Sequence, residues 1–406
     1  MDTFNLTTFP LLNKTVLMRV DFNIPLKAEE VADAGKVADN SKIKAALPTI
    51  QFLLEKNCKI ILLTHLGRPE GKIVESLRTN PLALELQRLL PRKKIIKLDD
   101  CFGEEIQQKI KDGKAQDIFL LENVRFYHQE EDNNPVFAHA LASLAEIYVN
   151  NAFGDCHRNH ASIQAITKFL PAIPGLLVEK EIEHLRLALN PKKPAIWILG
   201  GRKLEKIRLL KKPLQEADWI LIGGALAFPF LKAQGYSIGM SKIDQDSLHL
   251  AKKILKTAFA KKIILPVDFL VTERFSSAAP ASIATTGAVK NSQIALDIGP
   301  QTIRLFQQYL RKAHTIIWNG PLGYFEWAKF AAGTREIGRY ISKLPAISIC
   351  GGGETAEAMR KFHLESGFTH ISTGGGASLA FLSGENLPGI AVLEENYKKF
   401  RKKIKL

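Results

Sequence analysis

The chain has 406 residues, more than one ordinary hydrophobic core accommodates, so two domains are expected. The composition, 46% hydrophobic and 24% charged, is that of a globular protein, and no apolar stretch reaches the roughly 20 residues that a membrane span requires. The net charge of +15 fits either an anionic substrate or a nucleic-acid or membrane surface, and the charge alone does not decide between them.

Short apolar runs alternate with longer amphipathic stretches along the whole chain. Continuous rather than alternating hydrophobicity is typical of strands buried on both faces, and helices between such strands indicate parallel sheets. The predicted strands are 15–20, 60–64, 117–121, 147–150, 196–199, 220–222, 263–267, 315–318, 347–350 and 370–373. Ser41 is predicted to cap a helix that Pro48 bends. Breaks at 171–175 and 190–194 frame a charged connecting helix between two α/β domains.

The strand ends of the first half carry cations and polar groups. Ligands of open α/β sheets bind beyond the carboxyl ends of the strands. Arg19, Asp21 and Asn23 are predicted to alternate onto one face of a strand over 15–24. The loops after the next three strands contribute His65, Arg68, Arg125 and Arg158. Because the arginine fork binds phosphate and carboxylate in a bidentate manner, these loops predict a pocket for a small, multiply anionic molecule.

The strand ends of the second half carry glycine. The glycine segments are 200–201, 223–224, 351–353 and 374–376. Glycine lets backbone N–H groups approach phosphate oxygens, and a helix N-terminus adds partial positive charge. Tight turns required by packing would explain a single glycine pair, whereas two triple-glycine segments ahead of helices favour a phosphate cradle. Lys203 and Lys206 would add positive charge to it.

These two kinds of strand end together are typical of a phosphotransferase. No G-x-x-x-x-G-K-[ST] motif is present, which excludes a P-loop protein, and the strand that ends at Thr373 provides no acidic residue for a dinucleotide ribose. Phosphoryl transfer requires mainly positioning and neutralisation of charge. Closure about the connecting helix would exclude water as a competing acceptor.

In order and over essentially the whole chain, the motifs resemble those of the phosphoglycerate kinase family. The segments are RVDFNIPL (19–26), HLGRP (65–69), LLENVRF (120–126), NAFGDCHRNHAS (151–162), LPVDF (265–269), DIGP (297–300), IWNGPLGYFEWAKFAAGT (317–334), GGGETA (351–356) and STGGGASLAFLSG (372–384). WNGPLG together with STGGGAS in one chain is highly specific for that family.

The resemblance implies an α/β fold with two Rossmann-like domains of parallel sheets, joined by a hinge helix. The expected parts are an N-terminal glycerate-phosphate-binding domain over 1–173, an interdomain helix over 174–190, a C-terminal nucleotide-binding domain over 191–380, and a segment over 381–406 that returns to the first domain.

The resemblance also implies the reaction of a phosphotransferase with a carboxyl acceptor. Such an enzyme transfers a phosphoryl group reversibly between 1,3-bisphosphoglycerate and ADP, giving 3-phosphoglycerate and ATP in glycolysis and gluconeogenesis. Mg²⁺ is expected to accompany ADP or ATP. A cytoplasmic monomer is expected, with no membrane span and no nucleic-acid partner. Four cysteines without a C-x-x-C pair agree with a reducing compartment and argue against structural zinc.

Site residues are carried over by their positions in the motifs. The glycerate-binding set is Asp21, Asn23, Lys42, His65, Arg68, Arg125 and Arg158. The nucleotide-binding set is Lys203, Lys206, Gly299, Asn319, Glu326, Gly352, Gly353, Glu354 and Thr355, with Glu354 as the metal-associated residue. The catalytic set is Lys42, Lys206, Gly374, Gly375 and Gly376.

Several of these positions depart from the family pattern. Lys42 stands where the family has an arginine, and an ammonium keeps the charge but loses the planar fork. Glu354 and Asn151 each stand where the family has an aspartate. The remaining departures are Arg202, Glu205 and Ala225. We therefore expect a divergent, slow kinase, unless Arg202 partly replaces the missing guanidinium.

Two alternatives remain open. One is a catalytically weakened kinase-fold protein that binds anionic partners through its basic surface, including the basic C-terminal tail from 398 onward. The other is a related acyl-phosphate kinase that uses a different acid.

Overall fold

The computed structural model describes residues 3–26, 37–202, 207, 210–402 and 404. The chain divides into two compact units. Unit 1 comprises Met1–Ile182 together with Asn386–Leu406, and unit 2 comprises Glu183–Glu385. Each unit contains a parallel sheet with helices, which confirms the predicted α/β fold.

Unit 1 contains a six-stranded sheet in which every pairing is parallel. Its strands are β1 (Thr15–Arg19), β2 (Lys59–Leu63), β3 (Ile95–Lys97), β4 (Ile118–Leu120), β5 (Ile147–Asn150) and β6 (Ala172–Pro174). They lie in the order β3-β4-β2-β1-β5-β6. The direction of the strand order therefore reverses beside β1, and ligands of open α/β sheets bind at such a reversal.

Unit 2 contains a second six-stranded sheet of parallel strands and a small antiparallel one. The strands are β7 (Ala195–Leu199), β8 (Trp219–Ile222), β9 (Ile263–Ile264), β10 (Asp268–Thr272), β11 (Ser282–Thr285), β12 (Ile294–Ile298), β13 (Thr315–Asn319), β14 (Ile347–Gly351) and β15 (His370–Ile371). The parallel order is β15-β14-β13-β7-β8-β9, and the antiparallel order is β11-β10-β12. Here the order reverses beside β7.

The helices connect these strands. They are α1 (Ser41–Glu55), α2 (Asn80–Leu89), α3 (Glu104–Asp112), α4 (His128–Glu131), α5 (Pro135–Ala142), α6 (Leu176–Leu189), α7 (Lys211–Glu216), α8 (Ala227–Ala233), α9 (Gln245–Leu255), α10 (Pro300–Leu310), α11 (Ala332–Ile341), α12 (Gly353–Lys361), α13 (Gly376–Leu382) and α14 (Pro388–Phe400). The division between the two units falls within α6. Among the described residues, no helix is long and apolar enough to cross a bilayer.

The sheet of unit 1 is buried on both faces, as its continuous apolar strands predict. Val16 and Met18 of β1 belong to one hydrophobic cluster, while Leu17 between them belongs to another. All three side chains are fully buried. Because successive strand residues point to opposite faces, the absence of polar alternation follows from having apolar partners on each side.

One prediction for β9 and one for α1 are wrong. The predicted strand 263–267 ends at Ile264, because Pro266 lacks the N–H that would continue the ladder, and the chain instead forms the antiparallel sheet of β10, β11 and β12. Ser41 is not the helix cap. It is the first residue of α1, and its N–H and hydroxyl both donate to the carboxylate of Asp39.

Helix α14 packs on unit 1. The Asn396 side chain accepts from the N–H of Ala172 and donates to the carbonyl oxygens of Thr167 and Leu170. Leu393 is fully buried in the cluster that contains Leu17. The last helix of the chain therefore covers β6 and the segment before it.

Candidate functional site

At the carboxyl end of β1, the predicted alternation of three polar side chains is wrong. The strand ends at Arg19, so Asp21 and Asn23 lie in the loop beyond it. Arg19 is fully buried. Its guanidinium lies 3.2 Å from Asp155 and 3.2 Å from Nδ1 of His65. Arg19 therefore belongs inside the protein, where it holds the loops after β2 and β5 against β1.

Three arginines gather around Asp155, and we call Arg19, Arg125 and Arg158 the arginine cluster. Nε of Arg158 lies 3.6 Å from the Asp155 carboxylate, which is 2% exposed. Burial lowers the pKa of Arg125, and the positive charges of Arg158 and Arg19 lower it further. Asp155 attracts all three guanidinium groups, and the buried Glu130 adds a second negative charge near Arg19.

Arg125 has unused hydrogen-bonding capacity. Its side chain is 2% exposed, and one nitrogen donates to the carbonyl oxygen of Gly67 at 2.9 Å. Nε lies 3.3 Å from the half-exposed Glu131. Within the described part of the chain, neither Nε nor the second terminal nitrogen makes a hydrogen bond. Buried donors without acceptors are costly, so a bound anion would stabilise this arrangement.

The first turn of α1 places Lys42 at the same sheet edge. Its ammonium donates to Asp21 at 2.7 Å and to the carbonyl oxygen of Asn23 at 3.2 Å. The Asn23 side chain in turn accepts from the N–H of Gly67 at 2.9 Å, beside the exposed Arg68. The structure therefore brings together, at one edge, the sequence-predicted residues of this unit.

Three histidines near the arginine cluster are held neutral. His65 is 1% exposed, and burial, followed by the charge of Arg19, lowers its pKa well below the usual range. Burial and Arg158 also lower the pKa of His157. Burial, with Arg125 and Arg19, lowers the pKa of His160 to about 4.

This edge is not suited to a metal ion. Donor atoms of Asp21, His65 and Asp155 lie within 4.8 Å of one another. However, Lys42 contacts Asp21 at 2.7 Å and Arg19 contacts Asp155 at 3.2 Å. The carboxylates are already neutralised by cations, which would repel a divalent ion.

Asn151, one of the departures, faces away from the arginine cluster. Its side-chain oxygen accepts from the hydroxyl of Thr49 at 2.9 Å and from the N–H of Leu177 at 3.2 Å. The Thr49 hydroxyl accepts from the N–H of Leu176. Asn151 therefore links α1 to the first turn of α6.

In unit 2, the glycines nearest the reversal beside β7 are required by packing. Gly200, Gly224 and Gly320 end strands or begin turns whose backbones touch. The N–H of Gly201 donates to the carbonyl oxygen of Pro321 at 2.7 Å. A Cβ on Gly320, whose φ is +96°, would lie 2.1 Å from the carbonyl oxygen of Gly200. For these glycines the packing interpretation is correct.

The glycines before α12 are different. Gly352 has a φ of +91° and precedes the helix without any side-chain cap among the described residues. A Cβ on Gly353 would meet nothing within 4 Å. Asn319 at the end of β13 is 1% exposed and lies against Gly352, yet neither atom of its amide has a partner in the described ranges. A helix N-terminus with open space and an unpaired amide suits a phosphate.

Three other residues of the predicted nucleotide-binding set, Thr355, Glu326 and Gly299, have different surroundings. The hydroxyl of Thr355 accepts from the N–H of Gly320 at 2.7 Å, so it supports the neighbouring loop. Glu326 is exposed, and its carbonyl oxygen accepts from Lys361. Gly299 packs on the carboxylate of Asp268, which already accepts from the first N–H groups of α10.

The segment 374–376 leads into α13. The N–H of Gly374 donates to the hydroxyl of Ser372 at 3.1 Å. Gly375 has a φ of +50° and open space around its Cα, and Gly376 is exposed. Lys203, Glu205 and Lys206 lie outside the residues that the structure describes.

Glu354 lies in the first turn of α12 with its side chain one-third exposed, 3.8 Å from Arg202. Two departures from the family pattern are therefore neighbours. Arg202 faces this carboxylate within unit 2 and is itself 80% exposed.

Comparison with known proteins decides the family. The family model described as "Phosphoglycerate kinase" matches residues 6–385. The chain belongs to the phosphoglycerate kinase family. A phosphoglycerate kinase of Dictyoglomus turgidum is 48% identical over 390 residues, covering 95% of this chain and 96% of that protein. One from Moorella thermoacetica is 45% identical over 399 residues, covering 97% and 100%.

Solved structures agree. The structure of phosphoglycerate kinase from Coxiella burnetii has a TM-score of 0.85 and 36% identity, and covers 98% of this chain and 100% of that one. The structure from Pyrococcus horikoshii OT3 has a TM-score of 0.86 and 34% identity with the same coverage. The recognition of a phosphoglycerate kinase from its motifs is confirmed.

Sequence reasoning missed the buried residues behind the arginine cluster. Asp155 is the counter-ion of the cluster, and Glu130 and Ser162 lie next to Arg19 in the buried network. Two of them stand within the segment 151–162, which drew attention for its arginine and histidines. A buried arginine in an apolar strand was the available signal, because such a charge requires an acid nearby.

Proposed function

We propose that this phosphoglycerate kinase transfers a phosphoryl group between 1,3-bisphosphoglycerate and ADP, giving 3-phosphoglycerate and ATP, as a step of glycolysis and gluconeogenesis. The observation that carries the proposal is Arg125. It is a buried guanidinium with two nitrogens that make no hydrogen bond to the described residues, at the sheet edge where ligands of this fold class bind. A multiply anionic glycerate supplies the missing acceptors.

Unit 1 is proposed to bind the glycerate. Arg125, Arg158 and Arg68 contact its phosphate and carboxylate oxygens, since a guanidinium matches both groups. Asp21 and Asn23 hold Lys42, whose ammonium lies 2.7 Å from the Asp21 carboxylate. Lys42 is then placed to neutralise charge on the migrating phosphoryl group.

Unit 2 is proposed to bind the nucleotide. The space beside Gly353 at the start of α12 is open, and the N-terminal N–H groups of that helix, from Gly353 to Thr355, would donate to phosphate oxygens there. The unpaired amide of Asn319 lies beside them. Lys203, Lys206 and Gly299 are kept in the proposed nucleotide set, Glu326 as a ribose contact, and Gly374 to Gly376 as the loop next to the transferred group.

Mg²⁺ is proposed to accompany the nucleotide. The residues fit it, because a carboxylate at a helix start beside a phosphate site is the hard oxygen ligand that Mg²⁺ prefers, and Glu354 is one-third exposed there. When bound, the ion supplies neutralisation of phosphate charge. Arg202, 3.8 Å away, would have to release the carboxylate.

The protein is also proposed to be cytoplasmic and monomeric. All four cysteines are free and buried, which supports a reducing, cytoplasmic environment. A monomer is proposed from the family resemblance.

The reaction is tested directly by a coupled assay of ATP formation from Mg-ADP and 1,3-bisphosphoglycerate, and by the reverse reaction from ATP and 3-phosphoglycerate. Turnover that requires both substrates is expected. Protein that binds both ligands by calorimetry yet shows no turnover above background would contradict the proposal and favour the weakened, binding-only alternative.

A further inference from the structure

Behind the arginine cluster lies a buried chain of hydrogen bonds that no substrate would touch. Nε of Arg19 donates to the hydroxyl oxygen of Ser162 at 2.8 Å. That hydroxyl donates to one carboxylate oxygen of Glu130 at 2.6 Å, and the N–H of Ser162 donates to the other at 2.9 Å. Arg19, Ser162 and Glu130 are each 0% exposed.

The direction of these bonds follows from the chemistry of the groups. A guanidinium can only donate, so the Ser162 oxygen is the acceptor from Arg19. The serine proton is then directed to Glu130, whose two oxygens both accept from Ser162. The carboxylate of Glu130 therefore fixes the orientation of the Ser162 hydroxyl, and that hydroxyl fixes the position of the Arg19 guanidinium. Burial raises the pKa of Glu130, while Arg19 and the bonds from Ser162 oppose that shift.

Arg19 in turn determines which nitrogen of His65 carries the proton. One terminal nitrogen donates to the carbonyl oxygen of Val20, and the other lies 3.2 Å from Nδ1 of His65. Asp155 also approaches Nδ1, at 3.4 Å, but the Asp155 oxygen concerned makes no hydrogen bond to any described residue. Because Arg19 cannot accept, a hydrogen bond between these two groups requires Nδ1 of His65 to be the acceptor. The neutral ring then carries its proton on Nε2.

We propose that Glu130 and Ser162 are positioning residues that fix Arg19 so that it donates to Nδ1 of His65, leaving Nε2 as the protonated nitrogen that donates to the anionic glycerate. The assignment of the acceptor of that bond depends on the proposed function, whereas the protonation pattern does not.

This arrangement matters for an anion site. A neutral imidazole has one donor and one acceptor, and the wrong tautomer would present a lone pair to the substrate. The arginine keeps the correct tautomer in place, and burial together with Arg19 lowers the pKa of His65, so the ring stays neutral.

The test joins spectroscopy to kinetics. Nitrogen-15-labelled histidine in the full-length protein, without ligand, reports the tautomer of His65 through its two ring-nitrogen shifts. We expect the parent to be protonated on Nε2 alone. Ser162→Ala removes the hydroxyl with little change of volume. It should produce a mixture of tautomers and raise KM for 3-phosphoglycerate about tenfold, with KM for ATP within about twofold.

Two further variants separate positioning from general damage. Glu130→Gln keeps the shape of the side chain and should give a smaller change in the same direction as Ser162→Ala. Ser348→Ala is the matched control. It removes a buried serine hydroxyl of unit 2 that accepts from the N–H of Thr369, and it should leave the His65 shifts and KM for 3-phosphoglycerate unchanged.

A parent protein with the His65 proton on Nδ1 overturns the inference, as do Ser162→Ala shifts and KM identical to the parent. Expected shifts in a protein with no kinase turnover support the tautomer assignment and count against the proposed reaction instead. The two failures are thus distinguishable.

Discussion

The two proposed anion sites lie at equivalent places in their units, the carboxyl ends of parallel strands, but they consist of different chemical groups. Unit 1 uses side-chain cations, with Arg125 buried and only partly paired. Unit 2 uses backbone N–H groups before α12, next to a glycine whose Cα faces open space. A side-chain site requires buried counter-ions such as Asp155, because isolated buried charges are very costly. A backbone site requires the absence of side chains.

The difference predicts how each site fails. A substitution in unit 1 removes charge and leaves partner groups unpaired, so its effect should be large and confined to the glycerate. A substitution in unit 2 adds atoms where the ligand belongs, so its effect should be steric and confined to the nucleotide.

The largest effect is expected from Arg125→Ala. Loss of the buried guanidinium should lower kcat/KM for 3-phosphoglycerate about 100- to 1,000-fold, because the bidentate contact disappears. Steady-state kinetics with each substrate varied separately measures this. Arg88→Ala is the control, since Arg88 is an exposed arginine on α2 paired with Glu85. An equal loss of kcat/KM for 3-phosphoglycerate and for ATP would show that Arg125 does not act specifically on the glycerate.

Lys42 should affect turnover more than binding. Lys42→Met is expected to lower kcat about 100-fold by removing charge near the migrating group. Lys42→Arg should raise kcat several-fold, because it restores the planar fork of the family. Lys44→Met, an exposed position on the same helix, is the matched control. If Lys42→Met retained full kcat, Lys42 would serve only as the partner of Asp21.

For the backbone site, Gly353→Ala separates stability from affinity. The added methyl meets nothing within 4 Å, so stability should rise by up to about 1 kcal/mol from the helix preference of alanine. If phosphates occupy that space, KM for ATP should rise about tenfold while KM for 3-phosphoglycerate stays constant. Gly320→Ala should instead destabilise the protein, because its Cβ would collide with the Gly200 carbonyl. An unchanged KM for ATP would place the phosphates elsewhere.

The last expected effect concerns the acid stability of unit 1, and it is measured on unfolding rather than on turnover. The pKa of His160 in the folded protein is about 4, below its ordinary value of 6.5, because of burial and the charges of Arg125 and Arg19. The unfolded chain therefore binds more protons between these values, and the free energy of unfolding falls as the pH drops from 6.5 to 4.

His160→Gln should remove most of that loss, which a pKa difference of this size puts at up to about 3 kcal/mol at pH 4. Denaturant unfolding, followed by far-ultraviolet circular dichroism at several pH values, measures the change. Parallel pH dependence in parent and variant would show that His160 is not held neutral by the arginine cluster.

The sequence predicted the parallel sheets well, because runs such as Ile60–Leu63 are apolar on both faces and periodicity reports burial directly. It failed for the antiparallel sheet, whose strand β11 is largely exposed and lacks an apolar run. The strand predicted over 15–24 is too long, because it ends at Arg19. Polar residues at every second position, Arg19, Asp21 and Asn23, gave the pattern expected of one face of a strand.

The residues of the candidate site were predicted in two ways. Arg125 was predicted from its position after a strand, and Lys42 from the family resemblance alone, and both lie at the same edge of the sheet. Glu130 and Ser162 were not named, because their importance depends on contacts between residues 32 positions apart. Glycine alone also could not distinguish Gly320, which packing demands, from Gly353, which packing leaves free.

Helix α14 has a consequence for biosynthesis. Asn396 completes hydrogen bonds around Thr167 and Ala172, and Leu393 fills part of the core of unit 1. A ribosome makes these residues after all of unit 2, so β6 and part of the core of unit 1 stay uncovered until α14 has been synthesised. The later-made unit 2, whose residues are contiguous from Glu183 to Glu385, has its whole sequence available sooner after its own synthesis begins. Unit 1 is therefore begun first, but its last residues are made only after those of unit 2.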